Sequence, residues 1–245
     1  MLMSAIEGAD AAAFYPELAG KRVLITGLSK SVGVDIARAF AEHKTRLVLH
    51  FSERSAETQA IAEIVATQAL DVRMFDGIGS AADDVVHFTR AAVQAFAGLD
   101  AVINLASLSA HALPTAAEHG DIETSVSELL LLPCLVSQIA ANRMRLTLNE
   151  GLILNVATLG PKPTASERAY ASVARAALAS MTRRQAEEWA NEGIRINAIA
   201  PQVAGPAQPG IAGETGAAAL ALYLASGRGK SLSGHIFDAE GEWRS

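Results

Sequence analysis

Short apolar segments rich in β-branched residues alternate along the chain with longer segments whose apolar residues recur at helical spacing. The short segments are apolar on both faces, which is typical of parallel strands covered by helices on both sides. The pattern predicts strands at residues 22–26, 46–51, 71–75, 101–104, 152–156, 194–200 and 235–238. It predicts helices at residues 33–42, 56–68, 81–96, 121–148, 168–191 and 214–225. This alternation indicates a doubly wound α/β sheet.

The length and composition favour one folded domain. A chain of 245 residues that is 50% apolar has enough material for one sizeable core, and no composition change marks a second domain. We therefore predict an N-terminal extension over residues 1–17 and a single domain over residues 18–245. The start of the chain carries acids where a signal peptide needs bases, and Pro133 interrupts the longest apolar run. The single cysteine, Cys134, precludes an intrachain disulfide, so we expect a cytoplasmic protein.

The charge balance narrows the range of partners. The formal net charge is −6, whereas nucleic acids and anionic membranes attract clustered lysines and arginines. We therefore expect neither a nucleic acid nor a membrane as the partner. A small metabolite or another protein is the expectation that remains.

A glycine-containing turn, "TGLSKSVG", follows the first predicted strand and opens the first predicted helix. Such a turn offers free N–H groups and the positive end of a helix dipole, which together favour a phosphate. Gly27 and Gly33 would supply the tight turn and the close helix packing. The alternative is an ordinary strand-to-helix turn with a glycine at each end.

Several segments together resemble the short-chain dehydrogenase/reductase family. "TGLSKSVG" is similar to its TGxxxGxG cofactor turn, with Ser31 in place of the middle glycine. "NLAS" resembles its NNAG segment, "LILNVATLG" the strand with the catalytic serine, "YASVA" the YxxxK motif and "IRINAIAPQ" the RVNAIAPG segment. The resemblance implies a single Rossmann-like domain with a seven-stranded parallel sheet, a nicotinamide cofactor and oxidoreductase activity.

The resemblance also implies a cofactor preference. Family members that prefer NAD carry an acid at the end of the second strand, where this chain has "LHFSERS" with His50 at or near that position. Lys30 matches a cation of NADP-preferring members, and Ser52 and Arg54 lie where a 2′-phosphate could be held. We therefore expect NADP in preference to NAD. The expected cofactor-binding residues are Gly27, Lys30, Ser31, Gly33, Arg54, Asp76 and Asn104.

The catalytic residues of the family are only partly present. Tyr170 matches the proton-transferring tyrosine, and Thr158 stands at the serine that holds the substrate oxygen. Ala174 replaces the motif lysine, which grips the nicotinamide ribose and lowers the pKa of the tyrosine. Leu129 aligns with the asparagine of the water relay, and Arg175 is displaced by about 100° around the helix from the position of the lysine. The site is therefore a degraded version of the family's site.

Two functions remain open at this point. The first is an NADP(H)-linked carbonyl reductase of weak or altered chemistry, acting on a small-molecule or carrier-borne carbonyl substrate. The second is a catalytically silent member that binds nucleotide or a partner subunit.

A short Pro-, Gly- and Ala-rich run after residue 200 replaces the family's lid, and Gln202 replaces a glycine. Helices that are apolar over more than one face predict a homodimer or homotetramer, with a hetero-oligomer as the alternative.

Overall fold

The fold is seen in a computed structural model of the chain. The residues that the structure describes are 15–28, 32–51, 55–77, 81–107, 130–159, 164–200 and 214–238. The strands are β1 (Arg22–Leu28), β2 (Arg46–Phe51), β3 (Asp71–Asp76), β4 (Ala101–Ser107), β5 (Gly151–Thr158), β6 (Ile194–Ala200) and β7 (Ile236–Asp238). The helices are α1 (Val32–Glu42), α2 (Ala56–Gln68), α3 (Ala82–Ala95), α4 (Leu132–Leu146), α5 (Ala165–Trp189) and α6 (Glu214–Ala225). Short 3₁₀ turns cover Pro16–Leu18, Ala190–Glu192 and Gly227–Gly229.

All seven strands join one sheet in the order β3-β2-β1-β4-β5-β6-β7, and every neighbouring pair is parallel. Helices α1, α2 and α6 pack on one face, through an apolar cluster that includes Phe40, Val65 and Leu224. Helices α3 and α4 and the end of α5 cover the other face, with Val93, Met144 and Trp189 in their cluster. The predicted doubly wound, seven-stranded Rossmann-like domain is confirmed.

Strands and helices begin where local chemistry predicts. Strand β5 is buried along all but its last residue, as a strand covered on both faces must be. Helix α2 starts at a capping box formed by Ser55 and Thr58, and α5 starts at a second one formed by Thr164 and Glu167. In each box two side chains satisfy backbone N–H groups that the first helical turn leaves without partners.

Several predicted boundaries differ from the observed ones by one to three residues, and one helix start differs by more. The helix predicted at 121–148 is observed as α4 over Leu132–Leu146, and residues 121–129 lie outside the described ranges. Leu18, at the predicted start of the domain, is packed in the core and is 2% exposed. Glu17 also accepts a hydrogen bond from the Gly227 N–H at 3.1 Å. Within the described part of the chain, no helix is both long and apolar enough to cross a membrane.

The direction in which successive strands are added to the sheet reverses once, and the reversal lies between β1 and β4. From β1 the chain winds outward to β2 and β3, and then returns to place β4 on the other side of β1. The carboxyl ends of β1 and β4 therefore lie side by side at the point where open α/β sheets form a crevice. This is where open α/β sheets bind their ligands.

Candidate active site

The glycine turn lies at the carboxyl end of β1, in the crevice next to β4. Gly27 has a φ of +70°, a left-handed conformation that side chains disfavour. A Cβ added to Gly27 would also collide with the backbone carbonyl oxygen of Leu105 on β4. Both the conformation and the close approach of two strands therefore require a glycine at this position.

Gly33 brings the first turn of α1 close to the same residue. A Cβ on Gly33 would lie 2.7 Å from the Leu105 Cδ1 atom, well inside contact distance. Helix α1 spans eleven residues, so its dipole and free N–H groups favour an anion at this end. The residues present fit the phosphates of a dinucleotide. Lys30 and Ser31, which lie between the two glycines, fall outside the described residues.

The end of β2 presents no carboxylate toward the crevice. Phe51 is the last residue of the strand and is 1% exposed in the core, and His50 before it is also buried. Burial lowers the pKa of the His50 imidazole to about 4, against a weaker opposite effect of Asp76. The ring is therefore neutral at neutral pH and would neither repel nor attract a 2′-phosphate. Ser52 and Arg54 lie outside the described residues.

Asp76 and Asn104 occupy two different environments. Asp76 ends β3, pairs with Phe51 of β2 and is exposed at the carboxyl edge of the sheet. Asn104 is 1% exposed inside β4. Its amide accepts a hydrogen bond from the Thr26 hydroxyl at 3.0 Å, and donates to the Asn155 Oδ1 atom at 2.9 Å and to the Ser137 hydroxyl at 3.3 Å. The predicted contact of Asn104 with cofactor stays a prediction, and the hydrogen bonds observed stabilise the central strands.

Thr158 and Tyr170 approach the same end of the sheet. Thr158 is the half-buried last residue of β5 and pairs in register with Ser107, the last residue of β4. Tyr170 lies near the start of α5, and its hydroxyl oxygen is buried. The ring packs against an apolar cluster that includes Ala157, the neighbour of Thr158 in the chain. The capping box at Thr164 sets the start of α5 and hence the position of Tyr170.

Ala174 lies one helical turn after Tyr170 and is 1% exposed. It belongs to the same apolar cluster, with Ala157, Ala171, Leu178 and Ala200 as the other buried members. The position of the motif lysine is therefore enclosed by small apolar side chains. Burying a charge there without a partner is costly.

Arg175, the cation next to Ala174, serves a different part of the structure. Its guanidinium makes an ion pair with Asp238 at 2.6 Å and donates to the Ala200 carbonyl oxygen at 3.0 Å. These contacts tie α5 to the carboxyl ends of β6 and β7. The guanidinium therefore has a structural role, which agrees with its displacement around the helix from Ala174.

Several residues identified in the sequence lie outside the described ranges. These are Leu129, Gln202 and the run that replaces the family's lid, besides Lys30, Ser31, Ser52 and Arg54.

Conversely, the sequence analysis missed the role of Leu105, which packs under both glycines of the turn. Its position as the second residue of "NLAS" was the available signal, because that segment follows the strand beside the crevice. Among the residues described, no cluster of His, Cys, Asp or Glu has the arrangement of a metal site.

A separate cleft of about 600 Å³ opens at the opposite edge of the sheet. Glu150, Arg195 and Lys230 are among its lining residues. The Arg195 guanidinium donates to the carbonyl oxygens of Leu224 and Gly229 and so caps the end of α6. The cleft lies at the edge where β5 and β6 begin, whereas the glycine turn lies at the edge where the strands end. This cleft is therefore not part of the candidate site.

Comparisons with known proteins place the chain in a family. The model of the family described as short chain dehydrogenase matches residues 21–208. An uncharacterized oxidoreductase of Thermotoga maritima is 27% identical over 184 residues, which are 74% of this chain and 71% of that protein. The 3beta-hydroxysteroid dehydrogenase 2 of Eggerthella lenta is 27% identical, and the match covers 93% of this chain and 96% of the relative. A 3-oxoacyl-[acyl-carrier-protein] reductase of Synechocystis is 25% identical, over 75% of this chain and 74% of the reductase.

Solved structures share the same fold. An NADH-dependent reductase, A1-R', crystallised as a complex with NAD, superposes with a TM-score of 0.76. It is 20% identical in sequence, and the match covers 92% of this chain and 97% of that chain. A hydroxysteroid dehydrogenase from Escherichia coli also has a TM-score of 0.76, at 19% identity, over 96% of this chain and all of the other. Because the family model matches well over half of its length, the chain belongs to the short chain dehydrogenase family.

Proposed function

We propose that the protein binds NADP(H) at the glycine turn and reduces a carbonyl group, with weaker chemistry than relatives that keep the motif lysine. The observation that carries this proposal is the enclosed geometry of the turn. A Cβ at Gly27 would collide with the Leu105 backbone, and Gly33 packs closely on the end of the Leu105 side chain, at the crevice where the sheet order reverses. An ordinary strand-to-helix turn has no need for such close packing at both glycines.

The preference for NADP rests on charge at the end of β2. The last two residues of the strand are Phe51 and a neutral His50, so no acid there competes with a 2′-phosphate. Lys30 and Arg54 are the cations expected to hold that phosphate. The structural neighbour that binds NAD is a reason to test both cofactors. Lys30→Ala should weaken NADPH binding by about 1–3 kcal/mol and leave NADH binding nearly unchanged, since only one charge-assisted phosphate bond is lost.

The direction of the reaction follows from the missing lysine. A tyrosine with the ordinary pKa near 10 is a phenolate in only about one molecule in a thousand at pH 7. Alcohol oxidation needs that phenolate as a base, whereas carbonyl reduction needs the abundant phenol as an acid. A bound reduced nicotinamide supplies the hydride that adds to the carbonyl carbon. In our proposal Thr158 orients the carbonyl oxygen and Tyr170 donates its proton to it, which yields an alcohol.

The substrate class is proposed from the relatives and from the expected open cleft. Among the similar proteins is a reductase of 3-oxoacyl groups borne on a carrier protein, and another is a hydroxysteroid dehydrogenase. A cleft with a short cover would admit a carbonyl group on a carrier as readily as a small free ketone. We therefore propose a small-molecule or carrier-borne carbonyl compound as the substrate of this cytoplasmic protein.

We also propose that the protein acts as a homodimer or homotetramer. Helices α4 and α5 leave large apolar side chains in water, including Leu146 at 63% and Val173 at 67% exposure. Exposed apolar side chains on neighbouring helices favour contact with another subunit. A related subunit of different sequence is the alternative partner for the same surface.

A second candidate is a silent member that binds nucleotide and stabilises an active relative. The observation that favours it is the enclosure of Ala174, which is 1% exposed in an apolar cluster where relatives carry the lysine. In this case nucleotide would bind, but no carbonyl compound would be reduced.

The experiment that separates the two candidates measures binding and turnover on one preparation. Calorimetric titration with NADPH and NADH gives both dissociation constants. Oxidation of NADPH is then followed with small aldehydes, ketones and a 3-oxoacyl thioester, with Tyr170→Phe as the control. Turnover lost in Tyr170→Phe, with NADPH binding retained, supports the reductase. Binding without turnover on any carbonyl would favour the silent subunit, and binding of neither nucleotide would overturn the reductase and leave only a silent partner subunit.

A further inference from the structure

His50 makes a contact with the glycine turn that the proposed chemistry does not use. It is the second-last residue of β2, and its side chain is 4% exposed. The backbone N–H of Gly27 donates a hydrogen bond to the His50 Nδ1 atom at 3.2 Å. On its other side the ring packs against Phe88 of α3, with ring centroids 4.9 Å apart. The imidazole therefore lies between the turn and the helix layer.

The hydrogen bond determines the tautomer of the ring. Because the Gly27 N–H is a donor, Nδ1 must accept and cannot carry a proton. A neutral imidazole then carries its proton on Nε2, which is buried and has no hydrogen-bond partner among the described residues. Burial keeps the ring neutral, with a pKa of about 4. Leaving one N–H without a partner is a cost that a simple core residue would not incur, since phenylalanine fills a similar space without it.

The turn has a physical need for this acceptor. Strands β1 and β2 pair regularly as far as Ile25 and Leu49, and the register then shifts before Leu28 pairs with Phe51. Gly27 lies inside this irregularity, with its peptide rotated by the φ of +70°. Where the regular strand pairing is interrupted, the imidazole supplies the acceptor for this backbone N–H. A buried backbone donor without any acceptor would favour another conformation of the turn.

We propose that His50 is a positioning residue of the nucleotide site, which holds the Gly27 peptide in the orientation that the phosphates require. This inference rests on the proposed binding of a dinucleotide at the turn. The contact precedes any ligand, so it organises the site in the free protein. Because the residue acts through the phosphate-binding turn, it affects NADPH and NADH equally.

A pair of substitutions separates the hydrogen bond from the packing. His50→Phe keeps a ring against Phe88 but removes the acceptor, whereas His50→Asn keeps an acceptor oxygen near the position of Nδ1 and removes the ring. His43→Phe is the matched control, because His43 is a second buried histidine, 3% exposed. The His43 Nδ1 atom lies 2.7 Å from the Ala39 carbonyl oxygen, at the end of α1 and away from Gly27.

The affinities for NADPH and NADH are measured by calorimetry for the four proteins. We expect His50→Phe to weaken both nucleotides by a similar factor of at least about ten, as loss of a buried hydrogen bond at the site implies. His50→Asn should stay within a few-fold of the wild type although its melting temperature falls, and His43→Phe should bind as the wild type does. Equal affinities of wild type and His50→Phe would overturn the proposal, as would a loss in His50→Asn as large as that in His50→Phe.

A second measurement needs no nucleotide. Nitrogen-15 NMR of the free protein should show the His50 ring as the neutral Nε2–H tautomer, with the Gly27 amide slow to exchange with solvent. That amide should exchange at least about ten times faster in His50→Phe. An Nδ1–H tautomer, or unchanged exchange, would overturn the contact itself. If the NMR result holds but the wild type binds neither nucleotide, the proposed nucleotide site has failed, and with it the role of His50 there.

Discussion

Ala174→Lys tests whether the missing lysine is the reason for weak chemistry. The substitution lengthens the side chain by three methylene groups and an ammonium group at a position that is 1% exposed, beside Ala171 and Leu178. Forcing extra methylenes into a packed cluster costs about 1–3 kcal/mol. For a domain of this size the melting temperature should fall by roughly 2–12 °C.

The charge effect should appear at Tyr170, one helical turn away. Lowering the pKa of the tyrosine by about 3 units would raise the phenolate fraction at pH 7 from about one in a thousand to about one half. This corresponds to about 4 kcal/mol of phenolate stabilisation. Alcohol oxidation should therefore rise by up to several hundred-fold, and carbonyl reduction should change much less because the phenol was already abundant.

The assay compares the ratio of oxidation to reduction in four proteins. Ala174→Met is the matched control, since its side chain is also long and unbranched but carries no charge. Tyr170→Phe added to Ala174→Lys should remove the gain. If Ala174→Lys and Ala174→Met show the same ratio, the ammonium has no effect on Tyr170 and our account of the missing lysine is wrong.

Three further predictions concern stability. Gly27→Ala should lower the free energy of unfolding by about 2–4 kcal/mol in urea titrations, because strain adds to the collision with Leu105. Gly20 has a φ of +76° but open space around an added Cβ, so Gly20→Ala should lower the free energy of unfolding by only about 1 kcal/mol. Equal losses of stability in Gly27→Ala and Gly20→Ala would refute the collision at Gly27. The pKa of His50 is lower in the folded state, about 4, than the ordinary 6.5, so the unfolded chain takes up this proton first as the pH falls. Stability should decline by up to about 3 kcal/mol between pH 6.5 and pH 4, and His50→Phe should lack this part of the decline. Arg175→Met should lower the free energy of unfolding by about 1–3 kcal/mol, because it removes half-buried charge-assisted hydrogen bonds. An unchanged unfolding midpoint would show that the contacts of Arg175 with Asp238 and Ala200 contribute nothing to stability.

The fold was predictable because most strands are buried on both faces, although β3 and β7 at the sheet edges are partly exposed. An apolar run such as "RLVLHF" has few other stable environments, and β2 begins and ends where the pattern predicts. Strand ends were less predictable where pairing sets them. β4 continues to Ser107 because β5 continues beside it to Thr158, and no local pattern contains that information. The packing of Leu18 likewise depends on long-range contacts, which no local pattern contains.

The site was only partly predictable. The spacing of Gly27 and Gly33 indicated the turn, and the Leu105 backbone leaves no space for a side chain at Gly27. His50 was interpreted as a residue at the nucleotide end of β2, whereas the structure buries it beneath Gly27. The reason is the shift in register after Ile25, which depends on backbone geometry and leaves no trace in hydrophobic patterning. The enclosure of Ala174 also depends on three elements meeting at the end of the sheet, so only the loss of the lysine was visible in the sequence.

The most direct test of the proposed reduction is a single-turnover reaction with NADPH that carries deuterium at the transferable position. The protein is mixed in excess with the labelled NADPH and a carbonyl substrate, and the alcohol product is examined by mass spectrometry. Samples labelled on each face of the nicotinamide are used, because only one face donates. Our account predicts an alcohol one mass unit heavier from one of the two samples with the wild type, and little or none with Tyr170→Phe. Absence of labelled alcohol from both samples, in protein shown to bind NADPH, would contradict the reductase and favour the silent subunit.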